Sequence, residues 1–528
     1  MSTAIVTPAL ASAQVARRQP ISPSVDRRIS DRLLWVPDTA RRNKIHIMAE
    51  SGAGKSRFLG RVLAWLLFLR RTPQVILDPT GGTVMNLLDK VIRLPRSYQE
   101  HLWPRLRYVD MSGGGGYVVP FPLYHRMAPS ESLFDVSQRF LEVVRRMDVH
   151  LEQAPVLGLN ALVTVGTYTG MILTALGCQI TEASDLIRHP DRWMNRISHA
   201  AQDCTELKPA VDFYREFADQ HTEERTRHAN TLMAKLLPFI ADPKMRAMFG
   251  APEPGVDWSE MVAKGWTVCL DFSSELNAER RRFKLLWAFR SLVDFFKLRS
   301  FQGRDQRVSM IIDELTQLLG FGSQEHSVMA EDIEELISVV ARNYGVDLTI
   351  AHQNLPQIGS ERIQKALMTM GTQMIGVQTD PYSAQYLAEY FHRYDPYRVK
   401  RYEPVWMSVM HVPMIIDQMP VEFTPEEQRL LNSYTFMDLG RFRFLVRAPR
   451  REGEMRARFR RVSIARLDAG VYPDNTWVSQ AREQLMKRRG LSIKDALQEI
   501  DSRRSVSRPI AVRVPQPELT PVPSLWGE

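Results

Sequence analysis

Residues 48–56 read Met48-Ala49-Glu50-Ser51-Gly52-Ala53-Gly54-Lys55-Ser56. An apolar segment, residues 44–48, precedes this run and predicts a short strand, and a helix-forming segment, residues 57–69, follows it. A glycine-rich turn between a strand and a helix N-terminus presents backbone N–H groups to an anion. This context predicts a phosphate-binding loop.

The binding residues of the predicted loop are Ser51, Gly52, Ala53, Gly54, Lys55 and Ser56. We expect the lysine to reach the β- and γ-phosphates of ATP and the Ser56 hydroxyl to face Mg²⁺. One position departs from the G-x-x-x-x-G-K-[ST] pattern, because Ala49 stands where the first glycine would be. The alternative is a chance Gly-Lys-Ser turn ahead of an ordinary helix.

Composition favours a globular chain: the 528 residues are 44% hydrophobic and 24% charged, enough for two or three domains. The net charge of +9 suggests a basic patch for nucleic acid without requiring one. Three widely spaced cysteines, with no C-x-x-C pair, argue against a disulfide framework or a zinc site and favour a reducing cytoplasm. Arg17-Arg18 is followed by prolines and polar residues and not by an apolar segment, so we expect no export signal here.

One segment, residues 154–181, has no charged residue and is long enough to span a bilayer. It contains four glycines and several polar residues, so we favour a buried helix pair over a membrane span. The expected location is the cytoplasm, with recruitment to the inner face of the cell membrane through partners.

Apolar strands alternate with helical segments, which predicts an α/β fold with a mostly parallel sheet covered on both faces. The further predicted strands are residues 74–77, 106–110, 266–272, 308–314, 346–351 and 372–377. We predict a disordered basic arm (1–30), a first core part (31–129), an inserted all-helical domain (130–255), a second core part (256–470), and short helices with a proline-rich tail (471–528).

Polar residues at strand ends supply the remaining candidate chemistry. Asp313 is expected to support Mg²⁺ opposite Ser56, and Glu314 to orient and deprotonate the attacking water. Gln353, at the end of a neighbouring strand, is the candidate γ-phosphate sensor; the alternative is a capping amide. Asp78 lies either near the nucleotide or in a turn as a cap.

A segment of ten arginines, within residues 439–466, is the strongest basic patch and predicts two strands, residues 441–446 and 458–464. It suits contacts with DNA phosphates without base readout. A charged edge hairpin that resists aggregation is the alternative.

The order of motifs resembles the HerA/FtsK superfamily of DNA-pumping ATPases, and most of all the TraG/TraD-type coupling proteins of conjugative type IV secretion. The resemblance covers about residues 31–470 and rests on the phosphate loop, Val75-Ile76-Leu77-Asp78-Pro79, the helical insertion, Ile311-Ile312-Asp313-Glu314, Ala341-Arg342-Asn343-Tyr344-Gly345 and Ala351-His352-Gln353. It implies a RecA-like P-loop NTPase core and a homo-hexamer that threads DNA while hydrolysing ATP between subunits. By position, Arg342 matches the arginine that reaches a neighbour's nucleotide; a charge at a helix C-terminus is the alternative.

We therefore predict an ATP- and Mg²⁺-dependent DNA translocase, with secretion-channel or relaxosome proteins as further partners. We expect no N-terminal pair of membrane helices of the kind that anchored coupling proteins carry, so a soluble relative that reaches the membrane through partners, or a motor for repair, plasmid or viral DNA, is also consistent. Two rivals are an ATPase that energises protein secretion or pilus assembly without DNA, and a non-catalytic DNA-binding scaffold.

Overall fold

The computed structural model describes residues 44–147, 156–299, 306–320, 323–409, 412–447, 459–463 and 475–505. These residues fall into two compact units: unit 1 comprises the described residues of 1–103 and 304–478, and unit 2 those of 104–303 and 479–528. The predicted basic arm, residues 1–30, and the proline-rich tail lie outside the described residues.

The strands are, in chain order, β1 Ile45–Met48, β2 Gln74–Asp78, β3 Leu106–Asp110, β4 Tyr117–Val118, β5 Thr267–Asp271, β6 Val308–Ile312, β7 Val346–His352, β8 Thr372–Ile375, β9 Val399–Val409, β10 Val412–Glu422, β11 Arg443–Arg447, β12 Phe459–Ser463 and β13 Leu491–Ser492.

The helices of unit 1 begin with a continuous run that passes from Lys55–Phe58 through π-helical Leu59–Ala64 to Trp65–Leu69. The others are Gly82–Ile92, Arg96–Leu102, Leu315–Leu319, Ser323–Glu335 with its continuations Leu336–Val340 and Ala341–Asn343, Glu361–Met368, Pro381–Phe391 and Pro425–Met437. The helices of unit 2 are Leu133–Met147, Val156–Ala175, Ile180–Arg188, Pro190–Asp203, Lys208–Asp219, Thr222–Ala241, Pro243–Gly250, Trp258–Lys264, Ala278–Leu298 and Ile493–Ser505, and Asn475–Arg489 lies mostly in that unit.

The described strands of unit 1 form a sheet in the order β12-β11-β8-β1-β7-β6-β2. The five strands from β8 to β2 are parallel, and β11 and β12 add an antiparallel edge. The parallel strands are buried along their whole length, as expected for apolar strands covered on both faces. The predicted fold class is confirmed: an α/β fold with a mostly parallel sheet and an inserted helical region.

The carboxyl ends of the central strands meet at one edge of this sheet. Met48, the last residue of β1, lies opposite His352 of β7 and Ile375 of β8. The loops that follow these strands therefore lie side by side, and ligand crevices of open parallel sheets are found at such ends.

Unit 2 contains the parallel pair β3 and β5 together with the helices of the insertion. Gly170 of helix Val156–Ala175 lies against helix Leu133–Met147, where an added β-carbon would be 2.7 Å from the Ser137 β-carbon. Among the described residues, no single helix has both the length and the apolar character to cross a membrane; one pair bent by 116°, Leu162–Ala175 and Ile180–Arg188, meets the test only when joined.

The hairpin β9–β10 and helix Pro425–Met437 were not predicted from the sequence. The hairpin strands pair with each other and expose Tyr402, Trp406 and Met419. Prolines inside both strands, such as Pro404 and Pro420, remove backbone donors and obscure the strand pattern in the sequence. Neither strand forms part of the main sheet.

The two predicted arginine-rich strands are confirmed with slightly shifted ends, as β11 and β12. Arg441 and Arg443 are exposed, whereas Arg447 is half-buried with its guanidinium 5.6 Å from the centre of the Phe391 ring. Five of the ten arginines lie outside the described residues, namely Arg450, Arg451, Arg456, Arg458 and Arg466.

Candidate functional site

The phosphate loop follows β1 and turns through two glycines in the left-handed region, Gly52 with φ 75° and Gly54 with φ 106°. A side chain would strain the backbone at either position. The helix begins at Lys55, so the loop has the strand–turn–helix context that the sequence predicts. The backbone is therefore shaped to face an anion at the helix N-terminus.

The Ala49 departure from the glycine pattern is accommodated by a glycine elsewhere. Ala49 is fully buried, and a β-carbon built on Gly376, just after β8, would lie 2.5 Å from the Ala49 β-carbon. The Gly376 N–H donates to the Met48 carbonyl at 2.8 Å, so the two segments are held close together. The space for the alanine methyl thus comes from the absence of a side chain at position 376.

The Lys55 ammonium is folded back on the loop and is 7% exposed. Its Nζ donates to the Ala49 carbonyl and, at 3.4 Å, to the Glu50 carbonyl. Burial lowers the pKa of Lys55, while Glu314, Asp313 and Glu50 act in the opposite direction. The charge is thus surrounded by carbonyls and carboxylates, and phosphate oxygens could replace the carbonyl contacts.

The Asp313 carboxylate receives two hydroxyl hydrogen bonds on one oxygen. Ser56 Oγ donates to its Oδ2 at 2.8 Å and Thr83 Oγ1 donates to the same atom at 2.7 Å. Asp313 is 1% exposed, and burial raises its pKa against the lowering effect of the two hydroxyls and Lys55. The predicted Ser56–Asp313 pairing is present, and Thr83 is a site residue that sequence analysis missed.

This donor set fits a hydrated magnesium ion, which takes oxygen ligands and uses one or two protein groups besides phosphates and waters. The Ser56 hydroxyl and the Asp313 carboxylate lie in direct contact, so both oxygens can face one ion. In the part of the chain that the structure describes, no group of three or more His, Cys, Asp or Glu side chains is placed to hold a metal. An ion here would therefore depend on nucleotide oxygens.

Asp78 acts as the cap of the turn after β2. Its Oδ1 accepts from the Thr80 and Gly81 N–H groups, and its Oδ2 accepts from the Val84 N–H at 2.8 Å. The capping interpretation therefore describes its contacts. By fixing the start of helix Gly82–Ile92, Asp78 also fixes Thr83, whose hydroxyl reaches the buried carboxylate.

Glu314 and the predicted sensor lie in contact. Gln353 Nε2 donates to Glu314 Oε2 at 3.1 Å, and Thr316 Oγ1 donates to Glu314 Oε1 at 2.8 Å. Glu314 has φ 63°, an uncommon conformation for a side-chain-bearing residue, and follows β6, which ends at Ile312 and not at the predicted 314. Both carboxylate oxygens are thereby oriented, and Thr316 is a second residue that sequence analysis missed.

Arg342 lies in the short helical segment Ala341–Asn343, and its side chain is not among those the structure describes. Its action on a neighbouring subunit stays a prediction.

Phe442, which comes late in the chain just before β11, packs against the phosphate loop. Its N–H donates to the Ala53 carbonyl at 3.0 Å. A β-carbon built on Gly54 would lie 2.6 Å from the Cδ1 atom of the Phe442 ring, so the ring occupies the space that a side chain at position 54 would need. The Arg57 guanidinium is 5.7 Å from the ring centre. Sequence analysis missed this contact, because its only signal was an aromatic residue within the arginine-rich segment.

Comparisons with known proteins add structural neighbours. No protein-family model and no curated protein matches the chain. Among solved structures, the chain is similar to the unbound bacterial conjugative coupling protein TrwBdeltaN70, with 13% identity over 86% of this chain and 93% of that chain and a TM-score of 0.49. The plasmid coupling protein TrwB in complex with ADP and Mg²⁺ is 13% identical over 90% of this chain and 96% of that chain, with a TM-score of 0.48.

VirB4 of Thermoanaerobacter pseudethanolicus is also similar, with 13% identity over 82% of this chain and 91% of that chain and a TM-score of 0.45. The resemblance to coupling proteins that the motif order predicts is thus found among solved structures. The function of this chain is inferred from its own site residues.

Gly376→Ala tests the accommodation of Ala49. The new β-carbon would collide with the Ala49 methyl, and overpacking of this kind costs about 1–3 kcal/mol of unfolding free energy. We expect a lower urea midpoint and weaker ATP binding. Adding Ala49→Gly should restore part of both, while the Phe444 ring, 3.0 Å from the new β-carbon, limits the recovery. Equal losses in the single and double variants would contradict this explanation.

Asp313→Asn separates stability from metal use. Because burial raises the folded-state pKa of Asp313, its contribution to stability is full below the unfolded pKa of about 3.9 and is lost as pH rises through the folded pKa. The variant without nucleotide should therefore have a Tm at or above that of the wild type, with a gap that widens as pH rises. The Tm gain from ATP that depends on Mg²⁺ should disappear. A retained gain, or a gap that narrows with pH, would refute the assignment.

Proposed function

We propose that this chain is an ATP- and Mg²⁺-dependent DNA translocase of the type IV secretion and conjugation class, working as a homo-hexamer. The observation that carries the proposal is the placement of Glu314. Its carboxylate accepts hydrogen bonds from Thr316 and Gln353, and its charge, like that of Asp313, acts to raise the pKa of Lys55. A buried carboxylate oriented on both oxygens beside a phosphate loop suits general-base activation of water.

Each residue around the loop has a role that its contacts support. Lys55 binds the β- and γ-phosphates of the ATP substrate, exchanging carbonyl contacts for phosphate oxygens. Ser56 and Asp313 would hold Mg²⁺, which when bound neutralises charge that develops on the phosphates. Glu314 takes the proton from the attacking water.

Gln353 is suited to report the γ-phosphate, because its amide already contacts the carboxylate that activates the water attacking this phosphate. Loss of the γ-phosphate on hydrolysis would change that contact. Such a change at the end of β7 can be passed to the loops of a neighbouring subunit as a shift at the subunit interface, which would move bound DNA.

The DNA assignment draws on charge. Arg441 and Arg443, both exposed, precede and begin β11 at the antiparallel edge of the sheet. Within the part of the chain that the structure describes, neither arginine forms an ion pair with a carboxylate, and such arginines suit phosphate contacts that carry no base information. The cellular setting proposed is the inner face of the cell membrane, reached through secretion-channel or relaxosome partners.

ATP turnover at fixed low salt, with and without single- or double-stranded DNA, tests the function. DNA should raise turnover of the wild type, and Glu314→Gln should lower the rate by about 10²–10⁴-fold because the general base is lost. Thr316→Val is the matched control, since it removes one hydrogen bond to Glu314 and leaves the carboxylate and Gln353 in place. Its rate should fall much less.

Turnover that is indifferent to DNA would replace this proposal with a secretion ATPase that moves no DNA. If the wild type and Glu314→Gln are equally inactive while a hexamer forms, the chain is a nucleotide-binding scaffold.

Mixed rings test the ring and the role of Arg342. Arg342→Ala and Lys55→Ala should each be inactive alone, because one lacks the stabilising cation and the other the phosphate ligand. If the arginine acts on a neighbour's nucleotide, subunit exchange recreates complete sites at about one quarter of the interfaces, so turnover should reappear on mixing. A mixture as inactive as its components would refute action between subunits.

A further inference from the structure

Two buried imidazoles lie beneath the phosphate loop. His46, on β1, and His352, the last residue of β7, are both fully buried. Their Nε2 atoms are 2.7 Å apart and their rings stack, with centroids 4.9 Å apart and planes 16° from parallel. The pair lies outside the catalytic contacts described above, and nothing in the proposed chemistry uses it directly.

The hydrogen bonds of the pair extend across three strands. Gln373, on β8, donates through Nε2 to the carbonyls of Leu367, Met368 and Met370, so its Oε1 faces His46 Nδ1 as an acceptor at 2.5 Å. At the other end, His352 Nδ1 lies 3.2 Å from the Asn354 carbonyl. The contacts therefore run from β8 through β1 to the loop after β7.

The pair has fewer hydrogens than contacts. Burial lowers the pKa of His46 to about 4 and that of His352 well below its usual value, so both rings are neutral at pH 7. Two neutral imidazoles supply two N–H groups for three contacts. When His46 donates to Gln373, His352 donates to His46 and leaves the Asn354 carbonyl without an N–H. If His352 donates to Asn354 instead, His46 Nε2 donates to His352, and His46 Nδ1 then faces the Gln373 oxygen without a hydrogen. The two rings thus act as one unit.

The backbone connects this unit with both halves of the site. The Ala49 N–H, at the start of the phosphate loop, donates to the His352 carbonyl at 3.3 Å. Gln353, the sensor, is the next residue, and its carbonyl accepts from Gln378 Nε2 at 3.5 Å. A shift of His352 would therefore change the position of the sensor amide relative to the start of the phosphate loop.

We propose that His46 and His352 are a positioning pair that sets the Gln353 amide relative to the phosphate loop, and so sets the preference for a nucleoside triphosphate over a diphosphate. The inference rests on the proposed ATPase function. The described hydrogen bonds of the two rings go to Gln373, to each other and to the Asn354 carbonyl, and none goes to a residue assigned to the nucleotide, so both rings act through Gln353. Apolar replacements that keep the shape should preserve packing but release the sensor.

Equilibrium binding without DNA and without turnover tests the pair. The dissociation constants of ADP and of a non-hydrolysable ATP analogue are measured with Mg²⁺ for the full chain. We expect His352→Leu to lower the preference for the triphosphate by about 3- to 10-fold, the effect of one lost hydrogen bond, with ADP affinity nearly unchanged. His352→Gln, which keeps a donor near the Nε2 position, should retain most of the preference.

The pair should also behave as one unit in a double-mutant cycle. His46→Leu combined with His352→Leu should cost no more preference than either single change. Gln74→Leu is the control for general destabilisation, because it removes a buried amide hydrogen bond to the Ala64 carbonyl at the opposite end of the same sheet. It should lower the Tm and leave the preference unchanged.

Equal weakening of both nucleotides in His352→Leu, or a similar loss of preference in Gln74→Leu, would overturn the proposal, because either result is what a purely structural role produces. If the expected pattern appears but DNA fails to stimulate turnover, the pair stands and DNA translocation falls. If the wild type binds neither nucleotide, both proposals fall.

Discussion

The Asp313 carboxylate is the point at which the site is assembled. One of its oxygens accepts two hydrogen bonds. The Ser56 hydroxyl, on the helix after the phosphate loop, donates one, and the Thr83 hydroxyl, on the helix after β2, donates the other. A buried carboxylate without such donors would be strongly disfavoured. These two hydrogen bonds therefore require that β1, β2 and β6 end at the same level, and the other contacts of the site depend on that alignment.

The order of strands in the sheet explains why Gln353 can lie next to both the phosphate loop and the carboxylates of Asp313 and Glu314. The phosphate-loop strand, β1, and the acid-pair strand, β6, are not neighbours, because β7 lies between them. A polar side chain at the end of β7 consequently faces both, and Gln353 reaches Glu314 from there. Parallel sheets favour such convergence, since all their carboxyl ends lie on one edge.

How much of this could be predicted from the sequence depends on the range of the contact. The loop, the acid pair and Gln353 were predictable because each follows an apolar strand, and parallel topology brings strand ends together. Thr83, Thr316 and Phe442 were not, because hydroxyls and aromatics after a turn have many commoner uses. Ala49 looked like a defect for a related reason: the glycine that makes room for it, Gly376, is far away in the chain.

The same convergence makes the loop sensitive to its neighbours. The Ala49 N–H donates a hydrogen bond to the His352 carbonyl, and the Glu50 N–H donates one to the Val377 carbonyl. The Phe442 N–H donates one to the Ala53 carbonyl. The end of β7, the segment after β8 and the segment before β11 thus each hold the loop by one backbone hydrogen bond of modest net strength. A loop held in this way can adjust when phosphate replaces the carbonyls around Lys55, and that adjustment is transmitted to the segments that hold it. The hydrogen bonds that shape the binding site can therefore also transmit the effect of nucleotide binding to other segments of unit 1.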